Sequence, residues 1–218
     1  MSQLSKPYGL DILTNQMLNN GYSLNTMGMA VVDSNSGNVN LYSSDKPSKH
    51  IDQAYNFEHI VKSYLSSEEG KSFMDYVDSR GKKMMKIKGV GAGDLGSNTV
   101  AAIMHNGIEG ILLSNYDDRS FEDRVSQLAS IYEISDDAAQ EYVLAHELSH
   151  AAGHYDESSA EEFLVGYFTE MADNSEGEEK EKYESLANVA KERYEQATQA
   201  ESGKEAAWYV YFYNFFLN

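Results

Sequence analysis

The sequence predicts an α+β fold, with a small twisted sheet in the first half and helices filling the second. Three observations carry this reading. Between residues 27 and 114, short apolar runs alternate with polar residues and are broken by turn formers. From Phe121 onward, apolar residues recur at helical spacing instead. A period of two marks a half-buried strand, and a period near 3.6 marks a one-faced helix. The only two prolines, Pro7 and Pro47, lie in the first quarter, so no proline-rich linker divides the chain.

Taken in order, residues 8–20 suit a short helix. Residues 27–33 and 38–42 alternate around Ser34-Asn35-Ser36-Gly37, which reads as a β-hairpin. The polar stretch 43–49 reads as a loop. Residues 54–65 and 68–78 carry helical spacing, and Arg80-Gly81 closes the second of these helices. Met84-Met85-Lys86-Ile87-Lys88 is a candidate strand. The glycine-dense segment 89–96 reads as a flexible loop. It is not a phosphate loop, because it lacks the following Lys-Ser/Thr and the strand–helix setting. Residues 99–105 and 108–114 flank Asn106-Gly107, the strongest short hairpin signal. A sheet of at least three strands is therefore expected before the helices.

The helical half opens with an amphipathic helix at 121–132. Ser135, followed by Asp136 and Asp137, offers an N-cap and an acidic first turn for a helix reaching about Ala152. Gly153 is placed to stop it. Asp156 can cap a third helix that runs from Glu157. A fourth, highly charged helix spans 178 to about 200, and the chain closes on the aromatic run Trp208 to Leu217.

Composition narrows the function classes. The 218 residues suffice for one substantial core, or for a catalytic domain with a small appendage. No apolar run approaches the ~18 residues of a membrane span. The first seven residues place no apolar stretch after Lys6, so they do not read as a signal peptide and a cytoplasmic location is expected. The absence of cysteine excludes disulfides, thiolate catalysis and thiolate metal sites. A transition-metal site would have to use imidazole and carboxylate, ligands that suit zinc. A net charge of −18 repels phosphate backbones and anionic lipid, so neither nucleic acid nor a membrane is an expected partner.

Among six histidines, two stand in Ala145-His146-Glu147-Leu148-Ser149-His150, the HExxH pattern. Residues i and i+4 share a helix face, so His146 and His150 can grip one metal. Glu147 can then act as general base on a metal-activated water. Val143, Leu144 and Leu148 supply apolar surface for burying that helix. An ordinary helix with two surface histidines is the plain alternative.

On these residues the chain resembles the zincin metallopeptidases. The segment His146 to Asp156 matches, letter for letter, the HExxHxxGxxD form of the metzincin branch, which would make Asp156 the third ligand. That branch also carries a methionine turn, and Met171 falls in an expected helix. Glu157-Ser158-Ser159-Ala160-Glu161-Glu162-Phe163 is similar to the ExxA(D/N/E)xF setting of the gluzincin branch. That resemblance implies Glu157 as third ligand and Glu161 as a carboxylate orienting a histidine. Six residues between His150 and Glu157 form a short connection, and reach alone favours Glu161, so both stay candidates. The minigluzincins, very small members of the clan, are similar in layout over about residues 83–172. The resemblance implies an HExxH helix packed on a small sheet, followed by a glutamate-bearing helix, with one zinc and a peptide or protein substrate held as an added strand on a sheet edge. On this reading residues 51–175 form the catalytic domain. Residues 1–50 form an N-terminal helix-and-hairpin extension, and 176–218 a C-terminal helix with the aromatic tail.

His154 and Tyr155 are candidate donors to an oxyanion, and equally candidates for loop and packing roles. His105 beside its turn reads as exposed, and His50 and His59 carry no signal. The aromatic tail reads as a last packing element, or as a self-inhibiting segment lying in the cleft. Two other functions compete with peptidase activity: a zincin-fold regulatory protein that acts by binding, and a purely structural metal site, which would not require Glu147.

Overall fold

A computed structural model describes residues 29–42, 47–93, 95, 100–104, 110–115 and 119–202. The helix expected at 8–20, His105, the Asn106-Gly107 turn and the aromatic tail lie outside the described residues. The chain is α+β, with five strands and six helices among those residues. It divides into two compact units, one from Met1–Ser67 with Met85–Phe121 and the other from Glu68–Met84 with Glu122–Asn218. No described helix is long and apolar enough to cross a membrane.

The first unit holds a mixed sheet in the order β2-β1-β3-β5-β4. Alternation around Ser34-Asn35-Ser36-Gly37 makes the expected hairpin, β1 (Met29–Asp33) antiparallel to β2 (Val39–Tyr42). Its turn is held by Asp33, whose carboxylate accepts from the N–H groups of Asn35 and Ser36 at 3.0 and 2.7 Å. The second expected hairpin also forms, with β4 (Ala101–Met104) antiparallel to β5 (Gly110–Ser114). Helix α1 (Pro47–Ser66) packs on β1 and β3 and buries Ala54, Phe57 and Val61. It starts earlier than its apolar spacing suggested, inside the stretch read as loop. Proline is at home in the first helical position, where its fixed φ fits and its missing N–H costs nothing.

One expectation is reversed. Residues 84–88 form no strand, and the glycine-dense segment read as a flexible loop is β3 (Gly89–Gly93). It lies mid-sheet, antiparallel to β1 and parallel to β5, with all five residues buried. The physical reason is close approach. A Cβ on Gly91 would lie 2.6 Å from the Ala30 carbonyl oxygen, 2.7 Å from Leu112 Cδ2 and 2.9 Å from Val31 Cγ2. Glycine here makes room for its neighbours, which is one of its established uses inside strands.

The second unit is helical: α2 (Glu68–Ser79), most of α3 (Phe121–Tyr132), α4 (Asp136–Ala151), α5 (Glu157–Asn174) and α6 (Gly177–Ser202). Rings of α2 and α5 interlock edge to face, Phe73 with Tyr167 at 5.1 Å and Tyr76 with Phe163 at 5.0 Å. Such pairs add to plain area burial by about 0.5–1.5 kcal/mol each. Met171 sits inside continuous α5, so no methionine turn follows the motif. Helix α6 packs along α5 and buries Tyr183, Leu186, Val189 and Ala190.

Candidate metal centre

Helix α4 is not a surface helix. The Ser135 side chain caps its start by accepting from the Ala138 N–H at 3.2 Å. Its interior is buried almost all round, including Glu141, His146, Glu147 and Ser149. Two ionisable residues in succession, His146 and Glu147, are only 7% and 6% exposed. Burial of that kind is costly unless the groups are paired or serve a cation.

The helix stops where glycine allows. Gly153 adopts φ +97, a backbone conformation that strains any other residue, and the His154 N–H returns to the Ser149 carbonyl at 3.2 Å. After this tight reversal Asp156 caps α5, accepting from the Ser159 N–H at 2.8 Å. The first turn of α5 therefore folds back over the last turns of α4.

That reversal brings three donors together. His146 Nε2 and His150 Nε2 are 3.1 Å apart. Glu157 places Oε2 3.2 Å from His146 Nε2 and Oε1 3.7 Å from His150 Nε2. Among the described residues, His146, His150 and Glu157 are the one group of three side chains placed to hold a metal ion. Their spacing fits a tetrahedral zinc, whose bonds of ~2.0–2.1 Å set ligand atoms roughly 3.3–3.4 Å apart. The buried Glu157 Oε2 makes no hydrogen bond among the described residues, as suits an atom that serves a cation.

Glu161, one turn further along α5, meets the opposite edge of the His146 ring. Its Oε1 lies 3.2 Å from Nδ1, while Arg193 Nε of α6 donates to the same oxygen at 2.6 Å. The Tyr142 hydroxyl donates to Oε2. Glu161 is thus fully buried and fully engaged away from the donor cluster. The second histidine is oriented by backbone, as His150 Nδ1 bonds the His154 carbonyl oxygen at 2.5 Å. His150 Nδ1 thus faces the His154 carbonyl and His146 Nδ1 faces the Glu161 carboxylate without hydrogen-bonding it, so both rings turn Nε2 toward the cluster.

The ionisable groups of the cluster shift in opposite directions. Burial pushes Glu157 up, yet the close approach of His146 and the charges of both histidines hold it down at about 2. Burial pushes His146 down, but the Glu161 and Glu157 carboxylates lift it to about 10. Glu147 moves the other way: burial raises it to about 7, with His146 opposing. Glu147 therefore differs from Glu157 in the direction of its shift.

The other candidates are placed as follows. The carboxylate of Asp156 is occupied by capping, with Ser158 Oγ also donating at 3.0 Å. The His154 ring packs on Phe163 with centroids 4.4 Å apart, and its contribution to the cluster is its backbone carbonyl. Tyr155 is 57% exposed. Sequence reasoning missed Tyr142 and Arg193. Tyr142 stands four residues before His146 on the same face, so helical spacing could have found it. Arg193 lies 32 residues beyond its partner in a stretch dense with Lys and Glu, where no spacing singles it out. No family model, curated protein or solved structure matches the chain.

Proposed function

We propose that the chain is a zinc-dependent endopeptidase of the zincin type with a gluzincin-like ligand set, His146, His150 and Glu157. The observation that carries this reading is the convergence of two imidazole Nε2 atoms and one carboxylate, 3.1–3.7 Å apart, beside a buried Glu147. His146, His150 and Glu157 would hold a zinc, which would supply a Lewis acid able to lower the pKa of a water toward neutrality.

The chain's own residues do the rest. Glu147, adjacent to the first ligand, accepts the water's proton as the water attacks a peptide carbonyl, then returns it to the departing amine. A carboxyl group raised to about 7 is matched to both halves of that transfer. Glu161, 3.2 Å from His146 Nδ1, and the His154 carbonyl, bonded to His150 Nδ1, hold the two rings from outside the cluster. The zincin resemblance, rather than any measured kinship, supplies peptides as the substrate class. The rival reading is a zincin-fold regulatory protein that binds without cutting.

Replacing Glu147 tests the proposal. Glu147→Gln is expected to keep zinc and to lower cleavage of an unfolded protein substrate by about 10²–10⁴-fold. Unchanged cleavage overturns the assignment of the base. A wild-type protein that binds zinc yet cleaves no peptide favours the regulatory reading.

A further inference from the structure

We infer that Arg193 is a positioning residue of the metal centre, holding His146 in ligating orientation through Glu161 and so making α6 a working part of the site. The inference rests on the zinc reading above and extends it to a helix that no motif marks.

The argument is geometric. Arg193 Nε donates to Glu161 Oε1 at 2.6 Å, and His146 Nδ1 lies 3.2 Å from the same oxygen as an ion-pair contact rather than a hydrogen bond. The other oxygen receives the Tyr142 hydroxyl. Glu161 is 0% exposed, so a lost partner leaves its charge away from bulk solvent. Its rotamer, and with it the angle at which it meets the imidazole, is set by two fixed donors on either side. The Tyr142 donor comes from α4 itself, and the Arg193 donor comes from α6. The guanidinium is in turn seated over the Tyr142 ring, 5.8 Å from its centroid, and its charge reaches Tyr132 of α3. Arg193 therefore draws α3, α4 and α5 together at the point where His146 is held. Arginine is suited to this, because its planar fork is pre-organised for carboxylate and stacks on aromatic rings.

Two effects of removing Arg193 oppose each other, which makes the sign informative. Loss of a positive charge, acting alone, would strengthen cation binding. Loss of the orienting contact would weaken it, as removal of outer-shell partners does by about 10- to 100-fold. The proposal requires that orientation wins.

The test is a cobalt(II) titration of the full chain, read from the visible d–d absorption, which reports affinity and ligand geometry without any reliance on peptidase activity. Arg193→Gln is expected to weaken cobalt binding by about 10- to 100-fold and to change the band shape. The double variant Arg193→Gln/Glu161→Gln removes both halves of the buried pair and leaves no lone buried charge, so it also guards against simple misfolding. It is expected to bind no more weakly than Glu161→Gln alone, since Arg193 acts only through that carboxylate. Lys182→Gln removes another α6 contact, the 3.0 Å bridge to Glu141, and is expected to stay within a few-fold of wild type. Arg193→Gln binding as tightly as wild type, or more tightly, overturns the inference. So do fully additive losses in the double variant, or a Lys182→Gln loss as large as that of Arg193→Gln. A wild-type chain that takes up no cobalt overturns the zinc reading itself, and this inference with it.

Discussion

Asp156 and Glu157 are adjacent carboxylates with different partners, and the difference is a matter of backbone. Asp156 has extended dihedrals, φ −102 and ψ 154, which turn its side chain onto the N–H groups of the helix it precedes. Glu157 is the first residue of that helix, and its side chain falls toward His146 and His150. The letter match of Asp156 to one zincin branch thus meets a competing and sufficient role as a cap. Asparagine caps as well as aspartate, so Asp156→Asn is expected to change neither stability nor zinc affinity by more than a few-fold. A large loss of zinc in isothermal titration would reinstate Asp156 as a ligand. At this scale the motif histidines could be read from the sequence, because i and i+4 on one helix need no tertiary information. The roles of Glu157 and Glu161 could not be divided that way. Reach across the reversal depends on Gly153 at φ +97, which lets α5 begin close enough for its first residue to arrive.

At the scale of elements, the helix ends around the motif were the most legible features and the centre of the sheet the least. Ser135, Gly153 and Asp156 act where capping chemistry places them. Strand β3 escaped because alternation counts side chains, and three of its five residues have none to count. What selects glycine there is the backbone of β1 and the side chains of β1 and β5 pressing on position 91, contacts that are distant in sequence. Gly91→Ala is expected to destabilise the protein by about 1–3 kcal/mol, the usual cost of overpacking a filled core. A lowered denaturant midpoint with unchanged slope would show it. A midpoint equal to wild type would mean that β3 is looser than its neighbours imply.

For the whole molecule, the zinc reading concentrates ligand-linked stability in one unit. His146, His150, Glu157, Glu161 and Arg193 all belong to the second unit, while the sheet belongs to the first. A ligand that binds only the folded form stabilises it by RT ln(1 + [L]/Kd), about 2.7 kcal/mol at a hundredfold excess over Kd. Chelating the metal is therefore expected to speed amide exchange across α4 and α5, and exchange rates identical with and without zinc would contradict the reading. The α+β class was legible from the change of hydrophobic period near Phe121. The division into two units was not, because each is assembled from two separate stretches of chain. The reach of Arg193 has a further consequence, in time rather than space. Glu161 is translated 32 residues before the arginine that neutralises it. At about 5–20 residues per second, the motif, Glu157 and Glu161 are made a few seconds before Arg193. A chain truncated within α6 before position 193 would keep His146, His150, Glu157 and Glu161 but lack the arginine that pairs with the Glu161 carboxylate.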